Sequence, residues 1–494
     1  MIGSVNQRKT DTIAAWAREE MATAQLKDRR LNQRLTQILS DLGDRPTASI
    51  PAACGGHTEM TAAYRFFDNA KVTPAAVLEP HFTATRPRLA EQPVVLLVQD
   101  TTEADTTRPH QQVEGAGPLD GGKRRGAFVH PLVAFTPDGT PLGTVSMHLW
   151  TREESAPGKD PQRRSRPIEQ KESFRWVQGL RAARDVAQEL PQTQVICLGD
   201  SDADLYELFA EPRGERPVEW VIRACRNRRV EGEADAATAK LHERVMAQPV
   251  LFTHTITVRT RDPKTACEKR RRRVGRATRI ATVAVRAAAV TLRPPRRSGG
   301  VTLPAVPVNV VLVSEPDPPA GQLAVEWLLV TTLPIQTLDE VRQIIQYYCV
   351  RWMIEVLFRT WKSGCRVEER RFEHLDRLLP CLALYGIVAW RVLLLCRLGR
   401  SCPDVDCEVL FEPSEWQSVW RVTQSTPVPR QPPKLALMVR LIAQLGGYVN
   451  RPNRADPPGP QTLWLGLQRM HDLAWAWNTF GPGANNDPND PEDV

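Results

Sequence analysis

The sequence predicts an α/β protein in which helices flank a mixed sheet, and three segments carry the prediction. VVLLVQ, Val94 to Gln99, is a short β-branched apolar run closed by Asp100, as in a strand buried on both faces. FVHPLVAF (Phe128 to Phe135) and GTVSMHLW (Gly143 to Trp150) flank the turn Pro137-Asp138-Gly139 and read as a hairpin. QVICLG stops at Asp200 after a helical stretch from Glu169 to Gln188. Strand, hairpin, helix and strand in that order build a mixed sheet and deliver both acids at strand ends, where α/β sites form.

Around this core the elements follow in order. From Thr12 to Leu42 apolar residues recur at helical spacing until Gly43 and Pro46 end the pattern, which predicts a helix, and a second includes Glu59 to Phe67. Residues 1–75 thus form a helical module bearing Arg29, Arg30, Arg34 and Arg65. Residues 76–400 hold the sheet, with a β-rich insertion at about 223–325 marked by alternating segments such as TITVRT and IATVAV. The insertion carries Lys269, Arg270, Arg271, Arg272, Arg273, Arg276 and Arg279, like charges that repel unless a polyanion compensates them. After EWLLVTT, Thr337 and Glu340 predict a capping box for one long helix running through Trp361 to Gly364. The apolar stretch Cys381 to Leu398 has Arg391 at its middle and reads as a buried helix rather than a membrane span. Residues 401–494 open irregular and proline-rich. They then offer helices at Lys434 to Leu445 and around Thr462 to Trp477, and a Pro/Asn/Asp tail from Gly481 expected to be disordered.

At 494 residues, with 41% hydrophobic and 25% charged, the chain can bury a large core and is not a disordered protein. The formal net charge of +8, concentrated in arginine clusters, points to a polyanionic partner, nucleic acid first. Ten cysteines occur singly with no CxxC pair, which signals neither a zinc site nor a disulfide framework and fits a reducing cytoplasm. The opening residues lack an apolar signal region, so no secretion is expected.

The segment YYCVRWMIEVLFRTWK carries the most chemistry. At about 100° per residue, Tyr348, Arg351, Glu355 and Lys362 fall within a sector of about 60° on one helix. Taken alone, such a stripe equally describes a solvated face in which Arg351 pairs with Glu355. Two further acids at strand ends change the balance, because phosphodiester cleavage with two metal ions needs converging carboxylates. Hard cations such as Mg²⁺ take oxygen ligands, and Asp100, Asp200 and Glu355 supply them. Arg351 and Lys362 would bind phosphates, and Tyr348 would stack on a base or bond a phosphate.

These residues resemble a known family, the bacterial insertion-sequence transposases with a DDE triad, in the group of the transposon-five transposase. Asp100 stands in QDTT, Asp200 in GDSDAD, and Tyr348, Arg351, Glu355 and Lys362 reproduce the group's Y-R-E-K signature. LKDRRLNQRL and AAYRFFDN look like the family's N-terminal DNA-binding module and assign Arg34 and Arg65 to the terminal inverted repeat. EWLLVTT resembles the strand whose tryptophan enters the space left by a flipped base, so Trp327 inherits that role. His130, Lys171 and Arg371 stand in matching contexts as contacts to the transposon end, and LIAQLGGYVNR is similar to the dimerisation region. Arg271 and Arg273 are assigned to DNA from their place in the basic run.

The resemblance implies a ribonuclease-H-like mixed sheet, two Mg²⁺ (or Mn²⁺) ions per active site, and a homodimer on DNA in a bacterial cytoplasm. It also implies cut-and-paste chemistry: nicking at inverted repeats, hairpin formation and opening, then joining to target DNA. Asp204 competes with Asp200 as the second ligand; Asp200 is preferred because the strand ends there and the family pattern agrees. Two other readings stay open: a catalytically inactive DNA-binding descendant, and another ribonuclease-H-like nuclease.

Overall fold

In the computed structural model, which describes residues 13–121, 123–153, 166–232, 240–258, 278–295, 302–450 and 457–482, eleven strands join in one sheet. They are β1 (Val94–Gln99), β2 (Thr102–Asp105), β3 (Gly117–Pro118), β4 (Arg125–Phe135), β5 (Pro141–Trp150) and β6 (Gln194–Gly199). The rest are β7 (Glu219–Arg223), β8 (Phe252–Val258), β9 (Arg279–Leu292), β10 (Val306–Ser314) and β11 (Glu326–Thr331). Their order is β2-β4-β1-β6-β7-β11-β10-β9-β8, with β3 and β5 also on β4. β6 runs parallel to both β1 and β7, and the remaining pairs are antiparallel.

Both faces of the central strands are buried, which explains their unbroken apolar sequences. Successive side chains alternate between two cores. Leu96, Val98, Ile196 and Leu198 enter one core, which also holds Ile344, Ile354 and Leu382 from two helices, Leu338–Val350 with its continuation and Leu375–Ser401. Val95, Leu97, Val195 and Cys197 enter the other, against Trp176, Val177 and Leu180 of the helix Phe174–Glu189.

The predicted hairpin forms as β4 and β5, turning at Gly139 with φ 86°. The expected β-rich insertion is not a separate sheet: β8, β9 and β10 extend the central sheet through β11, which pairs with β7. The helix Leu375–Ser401 is long and apolar enough to cross a membrane, yet most of it is buried inside the protein, as expected from Arg391. Burial pushes the Arg391 guanidinium down to about 10.

The helical opening differs from its prediction. Two helices, Ala15–Glu20 and Arg29–Asp44, replace one, because Lys27 adopts the left-handed conformation at φ 57° and Asp28 caps the second by accepting from Arg30 N. A third, Ile50–Cys54, precedes His57–Phe67. The helix Pro74–Ala90 escaped prediction because Pro80 and Pro87, both inside it, read as breakers. At the C-terminal end Pro413–Thr423, Leu435–Leu445 and Pro460–Phe480 enclose a third core around Trp416, Met438 and Leu467.

Candidate active site

Asp100 and Asp200 directly follow β1 and β6, which pair in parallel from Val94↔Gln194 to Val98↔Leu198. Continued by two residues, that register sets the acids side by side. Alternation sends even-numbered residues of both strands toward the core shared with the helix Leu338–Val350 and its continuation Trp352–Arg359. Glu355 rises from this helix toward the same place.

Arg351 links two of the acids, Asp100 and Glu355. Asp100 Oδ1 accepts from Thr101 N at 2.7 Å, and Arg351 Nη1 reaches Asp100 Oδ2 at 3.2 Å. The other terminal nitrogen of Arg351 lies 3.7 Å from Glu355 Oε1. Asp200 accepts from Asp202 N at 2.8 Å. Burial, then the charge of Asp200, pushes the Asp100 carboxyl up to about 7, with Glu355 adding to the rise and Arg351 opposing it. Burial also raises the Asp200 carboxyl, with the charges of Asp202 and Glu355 adding to the rise. The three acids therefore share one electrostatic environment, with Arg351 as its cation.

Asp204 is excluded as the second acid. It is 1% exposed and accepts from Cys225 N, Arg226 N and Arg228 Nε at 2.9, 2.9 and 3.0 Å, which uses its carboxylate inside the fold.

The predicted capping box is present, Thr337 accepting from Glu340 N while Glu340 accepts from Thr337 N. The single long helix is not. It divides at Arg351, where Arg351 N bonds Tyr348 O and Ile354 N bonds Arg351 O, three-residue links that tighten the turn. It then widens into a π-helical turn, Thr360–Gly364. That turn displaces Lys362 from an ideal stripe, and Lys362 Nζ sits 3.7 Å from Glu368 Oε1. π-turns are frequent at functional positions.

Tyr348 is 6% exposed and packs edge-on to Trp327 with centroids 5.9 Å apart, so the expected base stacking has no open face; burial raises its hydroxyl. Trp327 is half-buried and lines an apolar cleft of about 370 Å³ with Ile256, Val285, Ile345 and Met353. His130 corrects its prediction: at 4% exposure, with both ring nitrogens engaged by Thr101 and Gln99, it cannot touch DNA. Arg65 and Arg371 are exposed, and Arg34 and Lys171 are half-exposed. Arg271 and Arg273 lie outside the described residues, as do most of the basic run and the tail beyond residue 482. One residue passed over in the sequence is Trp352, which is 55% exposed beside Arg351.

The donor chemistry suits a divalent metal: hard carboxylate oxygens whose burial and mutual repulsion lift Asp100 toward neutrality are what a dication relieves. Among the described residues no three acidic, histidine or cysteine side chains stand at metal-holding distance, and Arg351 pairs with both Asp100 and Glu355.

Comparison with known proteins accords with this geometry. A transposase DNA-binding family matches residues 13–72, a transposase DDE domain matches residues 166–379, and the transposase Tn5 dimerisation domain matches residues 387–475. Asp200 and Glu355 fall inside the DDE match, and Asp100 precedes it. The piggyBac transposase synaptic complex with hairpin DNA aligns with a TM-score of 0.36 and 9% identity, over 77% of this chain and 71% of that one. A DDE domain implies dependence on divalent metal, a DNA-binding domain a DNA partner, and a dimerisation domain a homodimer. With all three matched in order along its length, the chain belongs to the DDE transposases of the Tn5 type.

Proposed function

We propose that this transposase moves an insertion sequence by cut-and-paste: it binds terminal inverted repeats, cleaves the ends through a hairpin intermediate and joins them to target DNA. One observation carries the reading: two acids end adjacent parallel strands in equivalent register, with Arg351 bridging Asp100 to Glu355. Asp100, Asp200 and Glu355 would hold two Mg²⁺ or Mn²⁺ ions, whose chemistry is to stabilise charge on the attacking and leaving oxygens.

The protein's own groups do the rest. Arg351, here paired with Asp100 and Glu355, would grip a phosphate beside the scissile bond once those carboxylates served a cation instead. Lys362, now held by Glu368, supplies a second positive contact. Arg34 and Arg65 read the repeat from the N-terminal module, while Lys171, Arg371, Arg271 and Arg273 add contacts to the phosphate backbone. Trp327 and the exposed Trp352 offer aromatic surface to a flipped base, whose unstacking costs a few kcal/mol.

The order β5-β4-β1-β6-β7, antiparallel then parallel, supports a ribonuclease-H-like core. We divide the chain into a DNA-binding domain (1–75), a catalytic domain (76–400) and a dimerisation domain (401–494), working in a bacterial cytoplasm.

The test incubates purified protein and Mg²⁺ or Mn²⁺ with a fragment carrying its own element's inverted repeats. Hairpin ends and excised fragments are expected. Binding without cleavage would mark an inactive descendant, and cleavage indifferent to the repeats a different nuclease.

A further inference from the structure

The aspartate at the end of β1 is followed by a gap in the ladder. β1 and β2 lie on β4 in one continuous register, Gln99↔Leu132 and Thr102↔Val129, yet the strand lapses at Asp100 and Thr101. In that register Asp100 stands opposite Pro131, which has no N–H to give a ladder. Thr101 stands opposite His130, and here a side-chain bond bridges the gap: Thr101 Oγ1 lies 2.8 Å from His130 Nδ1.

The polarity of this bond follows from its neighbours. Gln99 Nε2 donates to Trp176 O and Cys197 Sγ, each at 3.3 Å, which leaves Gln99 Oε1 as an acceptor. His130 Nε2, 3.1 Å away, must then carry the proton and donate to it. Burial holds His130 neutral, so Nδ1 is an acceptor. Arg175 Nε only donates, and it reaches Thr101 Oγ1 at 3.0 Å. The Thr101 hydroxyl oxygen therefore accepts a hydrogen bond from Arg175 Nε, and its O–H donates to His130 Nδ1. Every donor meets an acceptor, and the chain has one direction.

Thr101 also carries the backbone N–H that holds Asp100 Oδ1 at 2.7 Å. Pinning the Thr101 side chain thus fixes the amide that orients the acid on the opposite face. We propose that His130, acting through the Thr101 hydroxyl, is a positioning residue for Asp100. It touches neither DNA nor the reacting atoms, and partners of this kind are worth ~10- to 100-fold in metal affinity or activity. The inference rests on the assignment of Asp100 to the catalytic acids.

Two isosteres divide the two ends of the ring. His130→Asn keeps an oxygen at the Nδ1 position to accept from Thr101, whereas His130→Gln keeps a donor for Gln99 and loses that acceptor. Full-length protein is compared for Mn²⁺ affinity by electron paramagnetic resonance, single-turnover nicking, binding to repeat DNA, and unfolding temperature. His130→Gln and Thr101→Val should each lose ~10-fold or more in Mn²⁺ affinity and nicking, with DNA binding kept. His130→Asn and Thr101→Ser should stay near wild type, and the Thr101→Val/His130→Gln pair should lose no more than either alone. Asparagine and glutamine variants that fall equally, or Thr101→Val at wild-type level, overturn the proposal. Should His130→Gln fail to fold, Thr101→Val against Thr101→Ser decides alone. Asp100→Asn separates the premises: if it still nicks, the assignment of Asp100 fails, and if it is inactive while Thr101→Val is normal, only the positioning role fails.

Discussion

Arg351 Nη1 stands 3.2 Å from Asp100 Oδ2, so the helix arginine is the counter-ion of an acid 251 residues earlier in the chain. Among the described residues, one paired cation for three acids leaves negative charge uncompensated. Burial and Asp200 lift the Asp100 carboxyl from its usual 3.8 to about 7, which means that ionising it works against folding. The sign follows: for an acid raised in the folded state, stability is lost as pH climbs through the folded value. Asp100→Asn should therefore unfold at a higher temperature than wild type at pH 8 without divalent cation, by up to a few kcal/mol, while abolishing cleavage. Calorimetry showing equal or lower stability would mean that neither burial nor the neighbouring acids disfavour the ionised Asp100.

Glu355 occupies the helix side of the same cluster, its side chain 41% exposed and 3.7 Å from Arg351. Glu355→Ala should end strand cleavage while repeat binding, measured by gel shift, stays within a factor of about three, since phosphate contacts dominate affinity. Cleavage that survives would remove Glu355 from the metal ligands.

These acids were legible because each closes an apolar strand or sits in a spaced polar stripe, and strand ends on one sheet edge converge. The β-rich insertion was legible as strands but not as part of the main sheet, because pairing of β7 with β11 is a long-range choice that periodicity does not carry. The matching family context that assigns His130 to DNA does not say which face of the strand it takes; alternation turns it toward Trp176, 4.8 Å between ring centroids. The helix break at Arg351 and the π-turn at Thr360–Gly364 leave no mark in a sequence free of proline and, until its end, of glycine.

The first helix is pinned to the sheet through Glu20, which accepts from Arg88 Nη1 and Nη2 at 3.0 Å each and from His81. Thr144 N donates to His81 Nε2 at 2.9 Å, so His81 Nδ1 carries the proton offered to Glu20. Burial alone would raise the Glu20 carboxyl, but these bonds take it from 4.5 to about 2. A depressed acid stabilises above its unfolded value and loses that stability as pH falls toward the folded one. Wild type should exceed Glu20→Gln by about 3 kcal/mol at pH 7, and the gap should close between about pH 4.5 and 2. Urea midpoints across that range test it; a gap independent of pH would assign the effect to packing.

Lys362 pairs with Glu368 at 3.7 Å, and Glu368 Oε1 also accepts from Asp105 N at 3.0 Å. If phosphate draws Lys362 away, Lys362→Ala should weaken binding to repeat and unrelated DNA alike and reduce the salt slope by about one. Loss confined to the repeat would instead make Lys362 a base reader.

Trp475 and Phe480 stand 66% and 77% exposed on the helix Pro460–Phe480, with ring centroids 6.4 Å apart. Trp475 is the last residue of the segment matched by the Tn5 dimerisation domain. Two exposed aromatics side by side are unusual on a monomer surface and are the residue types that anchor interfaces. Their rings meet edge-on and stay mostly exposed, which leaves both open to cover by a partner subunit. Trp475→Ala should cost about 2 kcal/mol of dimerisation, roughly a thirtyfold weaker dissociation constant, with the monomer's unfolding temperature unchanged. Sedimentation of the protein bound to repeat DNA measures this directly. A wild-type dimer constant in the variant would move the interface to another part of residues 387–475.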